Sequence, residues 1–146
     1  MTSQPLPHHY TVQAKATAVS NVTLESAGLP PLESAPPVEF GGPEGYWSPE
    51  TLLIAAIADC FILSFRGTAR ASHFIWESLH CSVVGTLAKA DHLTQFTHYQ
   101  ITATLTIPPD SDPARGDRLL HKAESGCLVT NSLLGTVSLE TSIQVS

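Results

Sequence analysis

Positive charge is scarce in this 146-residue chain: seven lysines and arginines stand against 13 acidic side chains, a formal charge of −6. A nucleic-acid backbone or an anionic membrane would demand clustered basic side chains, so neither is an expected partner. Only Lys15 precedes Arg66. Long apolar stretches are also missing. The longest charge-free apolar run, Leu52 to Ala58, falls far short of the roughly 20 residues that span a bilayer, and the N-terminus, with its prolines and histidines, does not resemble a signal peptide. A cytoplasmic protein is the expectation. Three cysteines, Cys60, Cys81 and Cys127, are too few and too irregularly spaced for a secreted disulfide framework, so a pair of them would matter by reactivity. Cys-x-x-Cys, G-x-S-x-G and glycine-rich phosphate-loop motifs are absent, which sets those function classes aside. The histidine pairs His8/His9, His73/His80 and His92/His98 lack the one-turn spacing of a helical metal site, and neither metal nor cofactor is expected.

What is present is enough for a core. A chain of this length buries roughly two-thirds of its unfolded surface and needs no staple. One domain over residues 10–146 is expected, preceded by a loose arm at residues 1–9. Tyr10 to Val19 alternates as a strand does, and short strands are expected around Val22 to Glu25 and Val38 to Phe40. After a loop from Gly41 to Trp47, Ser48, Pro49 and Glu50 provide an N-cap, a proline at the first helical position and a first-turn carboxylate. The helix they start should run to about Ala71. Its side with Ala56, Ile57, Cys60, Ser64 and Gly67 is lined mostly by small residues, Ile54, Phe61 and Phe65 share a bulkier one, and Asp59, Arg66, Arg70 and His73 form a polar stripe. With two apolar sides, the helix should be central. Glu77 to Lys89 and Thr97 to Ile107 alternate as a hairpin joined through Ala90 to Gln95. Asp112 and Pro113 then cap a second helix to about Ser125, and Thr136 to Val145 supplies the last strand.

The two cysteines beside the helices carry the chemical interest. Cys60 can be read as a small buried hydrophobe, or as a thiol whose small neighbours let a substrate approach. Cys127, just past a helix terminus, should be the more accessible and mobile of the two. Cys81 shares a strand face with Leu79 and Val83 and is assigned to the core. Glu50 has a plain role as a helix-dipole carboxylate; a functional one would need a cationic partner. Asp59 is expected to lie in the solvated stripe.

The string GGPEGYWSPETLLIAAIADCF, Gly41 to Phe61, together with HKAESGCLVTNSL around Cys127, resembles the OsmC/Ohr superfamily of osmotically induced and organic hydroperoxide resistance proteins. The order of elements agrees from Tyr10 onward. The resemblance implies an α+β fold, with antiparallel sheets around two central helices, and an intertwined homodimer whose site lies at the subunit interface. It implies that Cys60 is the peroxidatic cysteine, Cys127 the resolving cysteine, and Glu50 the carboxylate that holds a catalytic arginine. The implied function is reduction of organic hydroperoxides in oxidative stress defence, with a dithiol of the lipoyl type as reductant. The alternative is a non-catalytic protein that keeps the dimer and binds a small apolar ligand at its interface.

Two residues depart from the family pattern. Ala18 to Ser26 reads AVSNVTLES, with Ser20 or Asn21 where the arginine would stand, and Leu128 follows the second cysteine where proline is common. The replacements available for the arginine are Lys15, Arg66 and Arg70. Without a neighbouring cation, a buried Cys60 is expected to keep its pKa at or above about 8.5.

Overall fold

The structure, a computed structural model, describes residues 3–146; the first two positions of the expected arm lie outside them. The chain divides into two compact units, Met1–Leu52 and Leu53–Ser146.

The first unit carries a three-stranded antiparallel sheet of β1 (Gln13–Lys15), β2 (Val22–Glu25) and β3 (Leu32–Ser34), in that order. The alternation from Tyr10 to Val19 yields only the three exposed residues of β1. Beyond Lys15 the chain turns, because the Thr17 N–H donates to the Ser20 hydroxyl at 2.8 Å and the Ser20 N–H to the Thr17 hydroxyl at 3.1 Å. Side-chain oxygens so placed compete with a sheet ladder for the backbone. Lys15 pairs with Glu25 at 2.9 Å across β1 and β2. The expected strand at Val38–Phe40 is a one-turn 3-10 helix: Pro37 precedes it, the Phe40 N–H bonds the Pro37 carbonyl at 2.9 Å, and Gly41 ends it at φ 84°. A left-handed φ of that kind is available to glycine without strain. The strand forms six residues earlier, as β3.

Helix α1 (Pro49–Ala71) starts and stops as its sequence predicts. Ser48 is its cap, accepting from the Thr51 N–H at 3.1 Å. Length and composition would let α1 cross a bilayer, but one side is buried in the protein: Ile57, Phe61, Phe65 and Ala69 retain no exposure. Their four-residue spacing is one ridge of an α-helix.

The second unit is built on a sheet in the order β4 (Ser78–Ala90), β5 (Leu93–Ile107) and β6 (Thr136–Val145). β4 is shifted one residue along the chain from its expected span, β5 starts four residues before its own, and the turn between them shrinks to Asp91 and His92, at φ 50° and 72°. Two left-handed residues make the tight turn that matches strand twist, and aspartate tolerates that conformation better than most side chains. β6 joins β5 in parallel, so the sheet is mixed rather than wholly antiparallel. The reason is connectivity: α2 (Pro113–Ser125) crosses over from β5 to β6, and a strand reached through a crossover helix runs parallel to the one before it. Asp112 caps α2, accepting from the Ala114 N–H at 3.1 Å.

Every second residue of β5, from Tyr99 to Ile107, is buried. This face meets the buried ridge of α1 and Leu119, Leu120 and Ala123 of α2 in one core. Arg115 of α2 reaches the end of α1, where its guanidinium donates to the Ser72 carbonyl and lies 5.6 Å from the Phe74 ring centroid. It places positive charge at the negative end of the helix dipole.

Candidate functional site

Ile57, expected on the side of Cys60, belongs to the buried ridge of α1, and the rest of that side, Ala56, Cys60, Ser64 and Gly67, stays open. Beside it the chain leaves α2 at Gly126 and turns through a 3-10 helix, Thr130–Ser132, before β6. Between these segments of the second unit lies an open cavity of about 440 Å³, lined by Ala56, Asp59, Cys60, Leu63, Ser64, Leu128 and Val129. Cys60 is half-buried at its wall, 3.9 Å from the Ser64 hydroxyl. Cys127 adjoins it and is wholly buried. The tertiary structure therefore joins the two cysteines that the chain separates, and reverses their expected exposure: Cys60 is reachable and Cys127 is sealed. Sealing follows from the capping turn. The Cys127 carbonyl accepts from the Thr130 hydroxyl at 3.3 Å and from the Asn131 N–H at 3.0 Å, so this segment is held by its own backbone.

The electrostatics of the pair are unequal. Burial pushes the Cys60 thiol up, but hydrogen bonds from the Val129 N–H, the Cys127 thiol, the Ser64 hydroxyl and the Leu128 N–H favour its thiolate, and the net direction is downward. The fold thus supplies the sulfur with anion-favouring donors that a count of cations along the sequence does not include. Backbone dipoles and hydroxyl groups can stabilise an anion as a cation does, provided that the fold aims them at it. Cys127 moves the other way. Burial raises it, bonds from the Thr130 N–H and hydroxyl oppose that, and the neighbouring Cys60 raises it further. The arrangement favours a Cys60 thiolate with a protonated Cys127 donating to it. Cys81, half-buried on β4 opposite Ala103, is pushed up to about 11 by burial and by the charge of Cys127.

Glu50 is not among the cavity-lining residues. It sits in the first turn of α1, ten residues before Cys60 and hence about 15 Å away along the axis. Its Oε1 atom is buried and has no hydrogen-bond partner among the described residues. Among the described residues no lysine or arginine lines the cavity; Lys15 is engaged by Glu25, and Arg66 and Arg70 are exposed. Asp59 is exposed, as the stripe reading expects, but it also lines the same cavity as Cys60. The Leu128 and Val129 amides escaped the sequence reading because every residue type except proline carries an N–H. Only the polar run Thr130, Asn131 and Ser132 hinted at a structured turn there.

Comparison with known proteins agrees with this architecture. The uncharacterized protein YmaD of Bacillus subtilis (strain 168) is 26% identical over 140 residues, covering 91% of each chain. An OsmC-like protein of unknown function from Vibrio cholerae, VCA0330, has a TM-score of 0.85 at 19% identity, over 92% of this chain and 99% of its own. A structure of the organic hydroperoxide resistance protein OsmC from Legionella pneumophila has a TM-score of 0.73 at 26% identity, covering 94% and 99%. The family profile described as OsmC-like protein matches residues 41–142, from the loop before α1 almost to the end of β6. By that match, over more than half of its length, the chain belongs to the OsmC-like family.

Proposed function

We propose that this protein reduces organic hydroperoxides by a two-cysteine mechanism. The observation that carries the reading is the placing of a half-exposed Cys60, its thiolate favoured, at an open and mostly apolar cavity with Cys127 directly behind it. The Cys60 thiolate attacks the distal oxygen of the hydroperoxide. The O–O bond breaks, the alkoxide takes a proton and leaves as an alcohol, and Cys60 becomes a sulfenic acid. The Cys127 thiol then attacks that sulfur, water leaves, and a Cys60–Cys127 disulfide forms. A dithiol of the lipoyl type returns both cysteines to thiols by exchange and is itself oxidised to a cyclic disulfide. Structures named for organic hydroperoxide resistance among the neighbours support this substrate class.

The working form in this reading is a homodimer in the cytoplasm, where cysteines are kept reduced. Exposed apolar side chains motivate the dimer: Leu63 on α1 and Leu128 beside the cavity in one unit, Val12 and Val19 in the other. Glu50 retains the role that the family resemblance implies, as an anchor for a cation, and its unpartnered oxygen is what such a cation would meet. The absence of a basic residue from the cavity lining favours a second reading, a ligand-binding protein without turnover.

Consumption of cumene hydroperoxide with dithiothreitol separates the two. The parent should turn over, Cys60→Ser should abolish consumption, and Cys127→Ser should allow the first oxidation without the intramolecular disulfide. Peptide mapping of peroxide-treated parent should find Cys60 joined to Cys127. Parent-like consumption by both variants, or a dominant bridge through Cys81, would refute the mechanism.

A further inference from the structure

The cavity beside Cys60 has one charged lining residue, and the charge is negative. Ala56, Leu63, Leu128 and Val129 provide apolar wall, Ser64 a hydroxyl, and Asp59 a carboxylate. Asp59 immediately precedes Cys60 on α1, so the two side chains are one residue step apart, about 1.5 Å along the axis and 100° around it. Asp59 is exposed while Cys60 is half-buried, which puts the carboxylate toward the mouth and the sulfur deeper. A substrate must bring its peroxide oxygen to the sulfur with its remaining bulk beside Asp59.

Resting on the hydroperoxide reductase reading above, we infer that Asp59 determines substrate charge: the site accepts neutral hydroperoxides and discriminates against those bearing a carboxylate near the O–O group. Two unit negative charges some 6 to 8 Å apart, in a partly solvated cavity with an effective dielectric of about 40 to 80, repel enough to lower kcat/KM by roughly three- to tenfold. No lysine or arginine among the lining residues offsets that repulsion. An uncharged substrate of the same shape feels only the apolar wall. Asp59 touches neither oxygen of the reacting bond, so its effect is on which substrate enters rather than on the chemical step.

The test compares cumene hydroperoxide carrying a para-carboxylate with its methyl ester, on the full-length protein with dithiothreitol as reductant. The readout is the ester-to-acid ratio of kcat/KM for the parent, Asp59→Asn and Asp59→Glu. Any general change in Cys60 reactivity cancels in that ratio. The parent ratio should exceed that of Asp59→Asn by about three- to tenfold at low ionic strength, and the excess should shrink at 0.5 M salt, where the screening length is a few ångströms. Asp59→Glu should keep the parental preference. Turnover of both probes with the same ratio in parent and Asp59→Asn would overturn the assignment of Asp59 while leaving the reductase reading standing. No turnover of either probe by the parent would overturn both.

Discussion

Iodoacetamide alkylates the thiolate and not the thiol, so its rate at each cysteine reports how far the fold favours the anion there. Cys81, pushed up to about 11, should be ionised at pH 7.5 in only about three molecules in ten thousand. A thiol at the ordinary value of 9.0, from which Cys60 is lowered, would be ionised at about 3%, so Cys60 should exceed that. The predicted preference for Cys60 over Cys81 is therefore at least about a hundredfold. Cys127 should be slow too, being raised in pKa and without exposed surface. The sign with pH follows. Cys81 alkylation should climb about tenfold per unit from pH 7 to 10, whereas Cys60 alkylation should level off through a midpoint below 9.0. The assay is a timed exposure of reduced protein across that range, quenched and quantified at each cysteine by peptide mass spectrometry. Ser64→Ala, which removes one hydroxyl donor to Cys60, should raise the midpoint. Equal labelling of Cys60 and Cys81 at pH 7.5, or a Cys60 rate still rising tenfold per unit through pH 9, would refute the reasoning from backbone and hydroxyl donors.

Two further substitutions test the packing that holds the site. Phe61→Ala removes a fully buried ring from the ridge of α1 one residue from Cys60, and should cost about 3 to 5 kcal/mol in urea unfolding; a loss under 1 kcal/mol would mean that the core is not anchored there. Arg115→Met keeps an apolar stem but removes the donor to the Ser72 carbonyl and the cation beside Phe74, and should cost about 1 to 2 kcal/mol, with no loss counting against a capping role.

Much of the scaffold is written locally. Ser48, Pro49 and Glu50 begin α1, Asp112 and Pro113 begin α2, and the alternation of β4, β5 and β6 marks which faces are buried. These signals act over a few residues through capping bonds, fixed proline geometry and side-chain period, so they are readable in one dimension. Where local signals compete, reading falters. Thr17 and Ser20 turn a chain that alternates like a strand, and Pro37 with Gly41 closes a 3-10 turn where a strand was expected. Parallel pairing of β6 was also out of reach, since strand alternation is the same in either direction.

The chain by itself supplied the residue types of the candidate site: two cysteines, one on a helix flanked by small residues and one at a helix end, with no lysine or arginine between Lys15 and Arg66. Only the tertiary structure decided that Cys60 faces an open cavity and Cys127 is sealed behind it, and that Asp59 shares the Cys60 cavity. It also decided the direction of the Cys60 titration. Counting charges along the chain predicts a reluctant thiol, because amide dipoles have no letter of their own; in the fold the Leu128 and Val129 N–H groups, the Ser64 hydroxyl and the Cys127 thiol together favour the thiolate against the burial that opposes it.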